Sequence, residues 1–156
     1  MALRFTEQHA LSLVTPHLFP GEQILHRARG IEKPWYSWLF FRMGALFWKY
    51  FLVVATNQRI LFIQHKGLLG GYGVKAVESY SWAQIGELRL GWGIFNKTLK
   101  VRAPAIGFSR NVELNRFQLP NNFGSAEGIV ATFDAASRSL AGAGAAPQLG
   151  APQYAA

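Results

Sequence analysis

Residues 51–67 constrain the fold of this chain more than any other segment. Two runs rich in β-branched and aromatic residues, 51–55 and 60–63, flank the polar break Asn57-Gln58. This is the pattern of a β-hairpin, because asparagine tolerates the positive φ that suits a two-residue hairpin loop. Since both runs are almost continuously apolar, the hairpin is predicted to belong to a closed or doubly covered sheet.

Further segments with a strand pattern follow each other at short intervals along the chain. They are separated by turn-rich pieces such as Gly91-Trp92-Gly93 and Ala103-Pro104. Short strands at this spacing are typical of a barrel or a sandwich. With the two hairpin strands included, the predicted strands are 23–31, 50–56, 59–65, 76–82, 85–90, 98–102 and 111–117.

Helical patterns occur only near the two ends of the sequence. Thr6 can cap a short helix, which Pro16 and Pro20 disturb and end. Near the C-terminus, Ser125 can cap a second helix that continues to about Leu140, with apolar residues on one stripe. From residue 141 onward Ala, Gly, Pro and Gln dominate, and no apolar period remains. That composition predicts a disordered tail.

Three motifs in a fixed order resemble the bacterial pleckstrin-homology-like families. The families combine a Pro-Gly-Glu step, a Thr-Asn/Asp-x-Arg step and a polar-hydrophobic-x-x-Ile step, and the resemblance covers about residues 19–140. The order and spacing of the motifs, rather than any one of them, carry the resemblance. In this chain they read Pro20-Gly21-Glu22, Thr56-Asn57-Gln58-Arg59 and Ser81-Trp82-Ala83-Gln84-Ile85.

The resemblance implies a mainly β fold. We expect a pleckstrin-homology-like, partly open barrel of about seven strands in two orthogonal sheets, capped by a C-terminal α-helix and preceded by a short N-terminal helix. The predicted organisation is an N-terminal helix at 1–20, a barrel domain at 21–140 with an aromatic insertion at 34–49, and a disordered tail at 141–156. The resemblance implies no single function, because one fold carries many functions.

Composition limits the class of protein. The 156 residues contain no cysteine, which excludes disulfides and cysteine-based nucleophiles and fits a reducing compartment. The N-terminus lacks the apolar core of a secretory signal, so we expect a cytoplasmic protein, with attachment to the inner face of the membrane as an extension of that expectation. The net charge of +8 favours an anionic partner: lipid headgroups, nucleic acid or an acidic protein face.

The sequence offers little support for an enzyme. The four histidines lie far apart without a metal-ligand spacing, and the eight carboxylates form no evident pair for acid–base chemistry. There is no nucleophile elbow, and the glycine-rich loop 67–73 lacks the Gly-Lys-Ser/Thr step of a phosphate-binding loop. We therefore predict a protein that is not an enzyme, with no cofactor and no metal site.

The segment 35–48 is far more aromatic than a solvent-exposed loop. It has only one charge, and residues 35–56 have only two, but the second half of that longer range is better used as a strand than as part of a membrane-spanning helix. The alternatives for 35–48 are burial as extra core, packing in a homo-oligomer, membrane insertion and a groove for a protein partner. The predicted membrane- or partner-contact residues are Trp35, Trp38, Phe40, Phe41, Phe47 and Trp48.

Basic residues recur on strands at alternate positions, which places them on one face. In phosphoinositide-binding pleckstrin-homology domains such residues gather around the connection between the first two strands, but the second strand here begins Lys49-Tyr50-Phe51 and lacks the K/R-x-R step of those domains. Ordinary solvated strand faces and general attraction to an anionic leaflet are the alternatives. The candidate anion-binding residues are Arg27, Arg29, Lys33, Arg42, Lys49, Lys100 and Arg102.

The Thr-Asn-x-Arg residues receive a structural prediction instead. We expect Thr56, Asn57 and Arg59 to hold the hairpin or a neighbouring carbonyl in place, because they flank its turn.

Taken as a sequence, the chain is predicted to be a non-catalytic binding module. It would lie peripherally on the cytoplasmic membrane face or dock a protein partner through its aromatic and basic segment. A nucleic-acid-binding β-barrel is the alternative, since aromatic stacking plus basic strands also suits single strands. The absence of an RNP-like strand and of a Gly-x-x-Gly clamp favours the binding module.

Overall fold

In the computed structural model, residues 5–34, 36, 39, 47–66 and 73–143 are described. Within these ranges no helix is both long enough and apolar enough to cross a membrane. Single turns of 3-10 helix occur at Thr15–His17, Trp82–Gln84 and Pro104–Ile106. The main elements are α1 (Glu7–Val14), β1 (Ile24–Glu32), β2 (Lys49–Thr56), β3 (Arg59–His65), β4 (Val74–Ser81), β5 (Glu87–Leu90), β6 (Asn96–Ala103), β7 (Phe108–Asn115) and α2 (Asn122–Gly142).

The strands form one antiparallel sheet in the order β4-β3-β2-β1-β7-β6-β5. The sheet curls, because side chains of β4 and β7 touch although three strands lie between them in that order. Arg110 Nη1 lies 3.0 Å from Glu78 Oε2, and the ring centroids of Tyr80 and Phe108 are 4.3 Å apart. Since β4 and β5 remain the two edges of the sheet, the barrel is only partly closed. The predicted mainly β fold with its two helices is confirmed.

The hairpin forms where the sequence predicted it. β2 and β3 pair from Tyr50 with His65 to Ala55 with Ile60, and Asn57 and Gln58 make the connection. Its side chains enter two separate cores. Val53 and Phe62 point into the barrel, whereas Leu52, Val54, Leu61 and Ile63 pack on the outside against α1. The hairpin is therefore covered on both faces, which explains its continuous apolar runs.

Each helix covers one of these cores. Thr6 caps α1 as expected by accepting the backbone N–H of His9, and Ala10 and Val14 are fully buried on the outer face of the hairpin. On the other side, α2 buries Ile129 and Phe133 within the barrel core. The helices thus fix which face of each strand remains at the surface.

Two glycines allow unusually close packing around β1. A Cβ at Gly30 would collide with Val112 and Leu114 of β7, and a Cβ at Gly128 of α2 would collide with the ring of His26. Both positions therefore require a residue without a side chain, and they set the distance of β7 and α2 from β1.

The structure corrects the predicted start of the C-terminal helix. Ser125 is not the cap, because α2 begins at Asn122, three residues earlier. Asn122 is buried, and its side chain accepts the backbone N–H of Arg29 at 2.8 Å and donates to the carbonyls of Arg29 and Asn115 at 2.9 and 2.7 Å. These contacts with β1 and β7 explain the earlier start, and the sequence near Ser125 carries no sign of them.

Strand boundaries also differ from the predictions by a few residues. β7 covers Phe108–Asn115 rather than 111–117, so Phe117 lies in the turn before α2, and Trp82 belongs to a 3-10 turn rather than to β4. At the C-terminal end α2 continues to Gly142, two residues past Leu140. The predicted disordered tail lies mostly outside the described residues, and the division into domains stays a prediction.

Candidate binding surface

Two of the recognition motifs meet in one buried hydrogen-bond cluster, which we call the Glu22–Arg59 cluster. The Glu22 side chain is fully buried and receives Arg59 Nε and Nη2 at 2.8 and 2.9 Å. It also accepts the hydroxyl of Thr56 at 2.7 Å and the backbone N–H of Phe19 at 2.8 Å. Arg59 Nη2 donates further to the carbonyl of His17 at 2.8 Å. The cluster joins the chain before β1 to the β2–β3 hairpin.

Electrostatics in this cluster favour the ionised carboxylate. Burial raises the pKa of Glu22, but hydrogen bonds from Arg59, Phe19 and Thr56 and the charge of Arg59 outweigh burial and lower that pKa to about 2. Asn57 adds a second link, because its side chain accepts the backbone N–H of Gln23 at 3.0 Å. The structural role of Thr56, Asn57 and Arg59 stays a prediction that substitution of Arg59 can test.

The two arginines expected to bind an anion on β1 are both engaged within the protein. Arg29 is only 9 % exposed, its guanidinium carbon lies 4.2 Å from the centre of the Phe5 ring, and its Nε donates to His65 Nε2 at 3.3 Å. Arg27 forms an ion pair with Glu7 of α1 at 3.0 Å. Arg27 and Arg29 share the outer face of β1, as their spacing predicted, but α1 covers this face.

His65 is a neutral partner for Arg29. Its Nδ1 lies 2.8 Å from the carbonyl of Lys66, which can only accept, so Nδ1 carries the proton and Nε2 accepts from Arg29. Burial lowers the pKa of His65 to about 4, and the charge of Arg29 acts in the same direction, although the Lys66 carbonyl opposes it. A proton on His65 therefore disfavours the folded state.

This arrangement predicts a pH-dependent stability. Between pH 6.5 and pH 4 the unfolded chain binds a proton at His65 and the folded chain does not, so stability falls as the pH falls. The loss should reach about 3 kcal/mol by pH 4. Urea unfolding of the wild type and of His65→Gln at several pH values tests this. The variant should be less stable than the wild type at pH 7, but its free energy of unfolding should change less between pH 6.5 and pH 4. Equal slopes of this free energy against pH in the two proteins would contradict the assignment of the pH dependence to His65.

Four residues of the predicted aromatic segment are among the described residues: Tyr36, Leu39, Phe47 and Trp48. Trp35, Trp38, Phe40, Phe41 and Arg42 lie outside the described residues. Phe47 is 44 % exposed and contacts Tyr36, whose ring centroid is 6.1 Å away, and Leu39 is also exposed. Trp48 is half-buried, with Lys33 Nζ 5.0 Å from the centre of its ring. The visible part thus presents apolar rings and one cation at the start of β2.

The remaining candidate cations are spread over the surface. Lys49 is exposed at the first position of β2, and Lys33 pairs with Glu113 of β7 at 2.8 Å. Lys100 and Arg102 are exposed on β6, which β7 separates from β1, and Arg102 lies 3.6 Å from Glu87. The six predicted anion-binding residues that the structure describes are therefore not gathered into one site.

Sequence reasoning missed a more exposed group of apolar side chains, which we call the loop surface. It consists of the β5–β6 loop and the β7–α2 turn, which are joined by a hydrogen bond from Arg116 N–H to the Phe95 carbonyl at 3.1 Å. Its four apolar side chains are the most exposed large apolar residues of the described chain. They are Trp92 at 89 %, Phe117 at 75 %, Phe95 at 64 % and Ile94 at 62 %.

Strand β7 links the loop surface to the chain at the start of the aromatic segment. Glu113, which pairs with Lys33, and Asn115 are two residues apart on β7 and so share a face. The Asn115 side chain accepts the backbone N–H of Phe117 at 2.9 Å. Lys33, which precedes the aromatic segment, is therefore linked to Phe117 of the loop surface through one face of β7.

The chemistry of the loop surface suits contact with a partner. Its members are aromatic rings and aliphatic chains. Arg116 and Lys97 lie among them, together with Glu127, which pairs with Lys97. Within the described ranges, no three histidine or acidic side chains come together in a way that could hold a metal ion. Exposed apolar residues rimmed by cations are a common form of interaction site.

Comparison with known proteins points to one family. Residues 18–108 match the sequence model of a family described as the bacterial PH domain, and that range contains all three motifs. No curated protein matches the chain.

Several solved structures resemble the chain at low sequence identity. A pleckstrin homology domain from Shewanella amazonensis SB2B has 17 % identity and a TM-score of 0.49, covering 79 % of this chain and 94 % of that one. A DUF1696 family protein with a pleckstrin-homology domain from Shewanella loihica PV-4 has 16 % identity and a TM-score of 0.47, covering 84 % and 92 %. The hSac2 domain from human phosphoinositide phosphatase Sac2 has 11 % identity and a TM-score of 0.48, covering 88 % and 82 %.

Proposed function

The chain belongs to the bacterial PH domain family, and from that premise we propose that it is a non-catalytic module that docks on an anionic membrane surface from the cytoplasmic side. The family is generally made of binding domains rather than enzymes. The finer assignment, to a membrane, depends on the exposed side chains of this chain and not on the family.

The loop surface is the observation that carries the proposal. Trp92 and Phe117 are 89 % and 75 % exposed at the tips of adjacent loops, where no described residue covers them. Tryptophan favours the headgroup level of a bilayer, and Phe and Ile favour the acyl boundary just beneath it. Loop tips can enter that boundary without unfolding the sheet behind them. The side chains that this surface offers are therefore the kinds that peripheral membrane proteins insert.

Electrostatic attraction supports the same orientation. Arg116 is exposed beside Phe117 and has no ion pair among the described residues, and Lys49 is exposed near Trp48. Each well-placed basic residue contributes about 1 kcal/mol of attraction to an anionic leaflet. Lys33 and Lys97 contribute less, because they pair with Glu113 and Glu127. The net charge of +8 adds a long-range attraction that depends on salt.

The aromatic segment extends this proposal. We propose that Trp35, Trp38, Phe40 and Phe41 join Phe47 and Trp48 in membrane contact, because their rings are of the kind that enter a bilayer. Lys33, just before the segment, is also linked to the loop surface through β7. Arg42 would then lie at the headgroup level. Packing of the segment in a homo-oligomer or against a protein partner would use the same rings. Vesicle binding distinguishes membrane contact from these two alternatives.

Vesicle co-sedimentation tests the proposal. We expect the full chain to pellet with vesicles that contain phosphatidylserine and to remain in the supernatant with neutral phosphatidylcholine vesicles, with binding reduced by salt. A single-stranded oligonucleotide serves as competitor, because exposed aromatic rings also stack on bases. Binding to the oligonucleotide without binding to either vesicle would replace the membrane by nucleic acid. Failure to bind all three would reject both alternatives.

A further inference from the structure

The open edge of the sheet at β5 forms a groove with α2 that belongs to neither the loop surface nor the Glu22–Arg59 cluster. The groove has a volume of about 530 Å³ and lies between the whole of β5 and one stripe of α2. The stripe consists of Glu127, Val130 and Asp134, three and four residues apart, with Phe133 beside them. From this groove we infer a second binding site, which takes an extended, basic peptide segment of another protein as an added strand.

The backbone of β5 is arranged to accept such a strand. Gly91 N–H donates to the Thr98 carbonyl at 2.8 Å, and hydrogen-bonded pairs alternate along an antiparallel ladder. Glu87 and Arg89 therefore bond to β6, whereas the N–H and C=O groups of Leu88 and Leu90 point toward the open edge. β5 is the last strand in the sheet order, and no hydrogen bond among the described residues closes this edge. Unpaired donors and acceptors at a sheet edge pair readily with another chain.

The groove also determines which side chains the added strand should carry. Leu90 and Val130 are half-buried, and Leu88 and Phe133 form the floor, so alternate residues of the strand meet an apolar surface. Side chains alternate along a strand, so every second residue should be apolar.

Charge distinguishes this groove from the rest of the molecule. Although the chain carries +8, three of its eight carboxylates line the groove, Glu87, Glu127 and Asp134, against the single cation Arg89. Glu127 pairs with Lys97 at 2.7 Å, and Glu87 pairs with Arg89 at 3.1 Å and with Arg102 at 3.6 Å. Asp134 is thus the lining carboxylate that has no ion pair among the described residues. Electrostatic complementarity therefore favours a segment that brings a cation to Asp134.

Dimensions agree with a short strand. The helical rise places Glu127 and Asp134 about 10 Å apart along α2. The four residues of β5 span about 10 Å at the rise of an antiparallel strand. In a six-residue strand with a basic residue at each end, the two end side chains lie on opposite faces, so one cation shares the groove face with the alternate apolar residues. That cation can approach Asp134.

The probe for this site is the capped hexapeptide Lys-Val-Thr-Val-Thr-Lys, titrated into the full chain and followed by amide chemical shifts in NMR. We expect the largest shifts at Leu88, Leu90 and Val130. The same peptide with glutamate in place of lysine should bind more weakly. Two further peptides carry N-methyl groups on the valines or on the threonines. One of these two should lose binding and the other should keep it, because only alternate N–H groups of a strand face β5.

Variants of the chain make the test specific. Leu90→Pro removes one outward N–H and should weaken the lysine peptide about tenfold. Asp134→Asn, at an exposed position, should weaken binding of the lysine peptide about threefold. It should also reduce the difference in affinity between the lysine peptide and the glutamate peptide. Ser139→Lys changes the charge equally but lies on another side of α2 and should leave binding unchanged. Vesicle binding should be the same in all three variants, which separates this site from the proposed membrane surface.

Several results would overturn the inference. The first is an absence of chemical shift changes at β5 at millimolar lysine peptide. The second is that both N-methylated peptides lose binding equally or keep it equally. The third is that Asp134→Asn and Ser139→Lys bind the lysine peptide with equal affinity. A dimer in sedimentation that Leu90→Pro abolishes would assign the edge to a second copy of this chain instead.

Discussion

Replacing Arg59 with alanine is expected to lower the free energy of unfolding by about 3 to 5 kcal/mol. Glu22 would keep its buried position and the hydrogen bonds from Thr56 and Phe19 but lose two hydrogen bonds and the neighbouring charge, and a buried carboxylate without its cationic partner is strongly destabilising. The carbonyl of His17 would lose its donor as well. Urea unfolding at pH 7 measures the loss. Because Glu22 can escape by protonation in the variant, the difference between variant and wild type should shrink as the pH falls from 7 to 4.

Arg138→Ala is the matched control for this prediction. Arg138 is exposed on α2, and among the described residues its side chain donates only to the Asp134 carbonyl, so its removal should change stability by less than about 0.5 kcal/mol. A double-mutant cycle with Glu22→Gln then measures the coupling between the two side chains. An Arg59→Ala protein as stable as Arg138→Ala would show that the cluster does not hold the fold together.

The hairpin and its connections could be predicted because the information is local. Asn57 and Gln58 are adjacent to the strands that they connect, and the apolar runs on each side show directly that both faces are covered. The three motifs identified the family for the same reason, since each is short and continuous. What the motifs did not show is that Glu22 and Arg59 contact each other, because 37 residues separate them.

The start of α2 shows the opposite case. Ser125 is a good local cap, but Asn122 makes three hydrogen bonds to backbone groups of β1 and β7, and these long-range bonds decide where the helix begins. Likewise, alternation placed Arg27 and Arg29 on one face of β1, but it could not reveal that α1 covers that face. Burial by a distant element has no signal in the strand itself.

The loop surface was missed for a related reason. Phe117 looked like the last apolar residue of a strand, and Trp92 lies in a turn between two glycines. Apolar residues in a sequence are normally assigned to the core, so their exposure became evident only from the folded chain. The one available signal was Trp92 itself, since a large aromatic ring in a glycine turn has little neighbouring structure in which to be buried.

Trp92→Ser combined with Phe117→Ser is expected to produce the largest functional loss. Each side chain would lose about 1.5 to 3 kcal/mol of apolar burial in the bilayer, so partitioning to phosphatidylserine vesicles should fall about a hundredfold or more. Both residues are mostly exposed, so the melting temperature should change little. Co-sedimentation of wild type and variant at equal lipid measures the effect. Leu140→Ser, which removes an exposed apolar side chain at the far end of α2, is the matched control and should bind as the wild type does.

A second pair of substitutions separates the loop surface from the aromatic segment. Trp38→Glu with Phe41→Glu places two charges in the segment, and we expect a folded protein that has lost vesicle binding, because charged residues at the acyl boundary oppose insertion. If this variant fails to fold as a monomer, the segment is core and the loop surface alone meets the membrane. If Trp92→Ser with Phe117→Ser leaves vesicle binding intact while Trp38→Glu with Phe41→Glu abolishes it, the segment is the membrane contact. The loop surface would then have to serve a different partner, because its four apolar side chains would remain exposed in the membrane-bound protein.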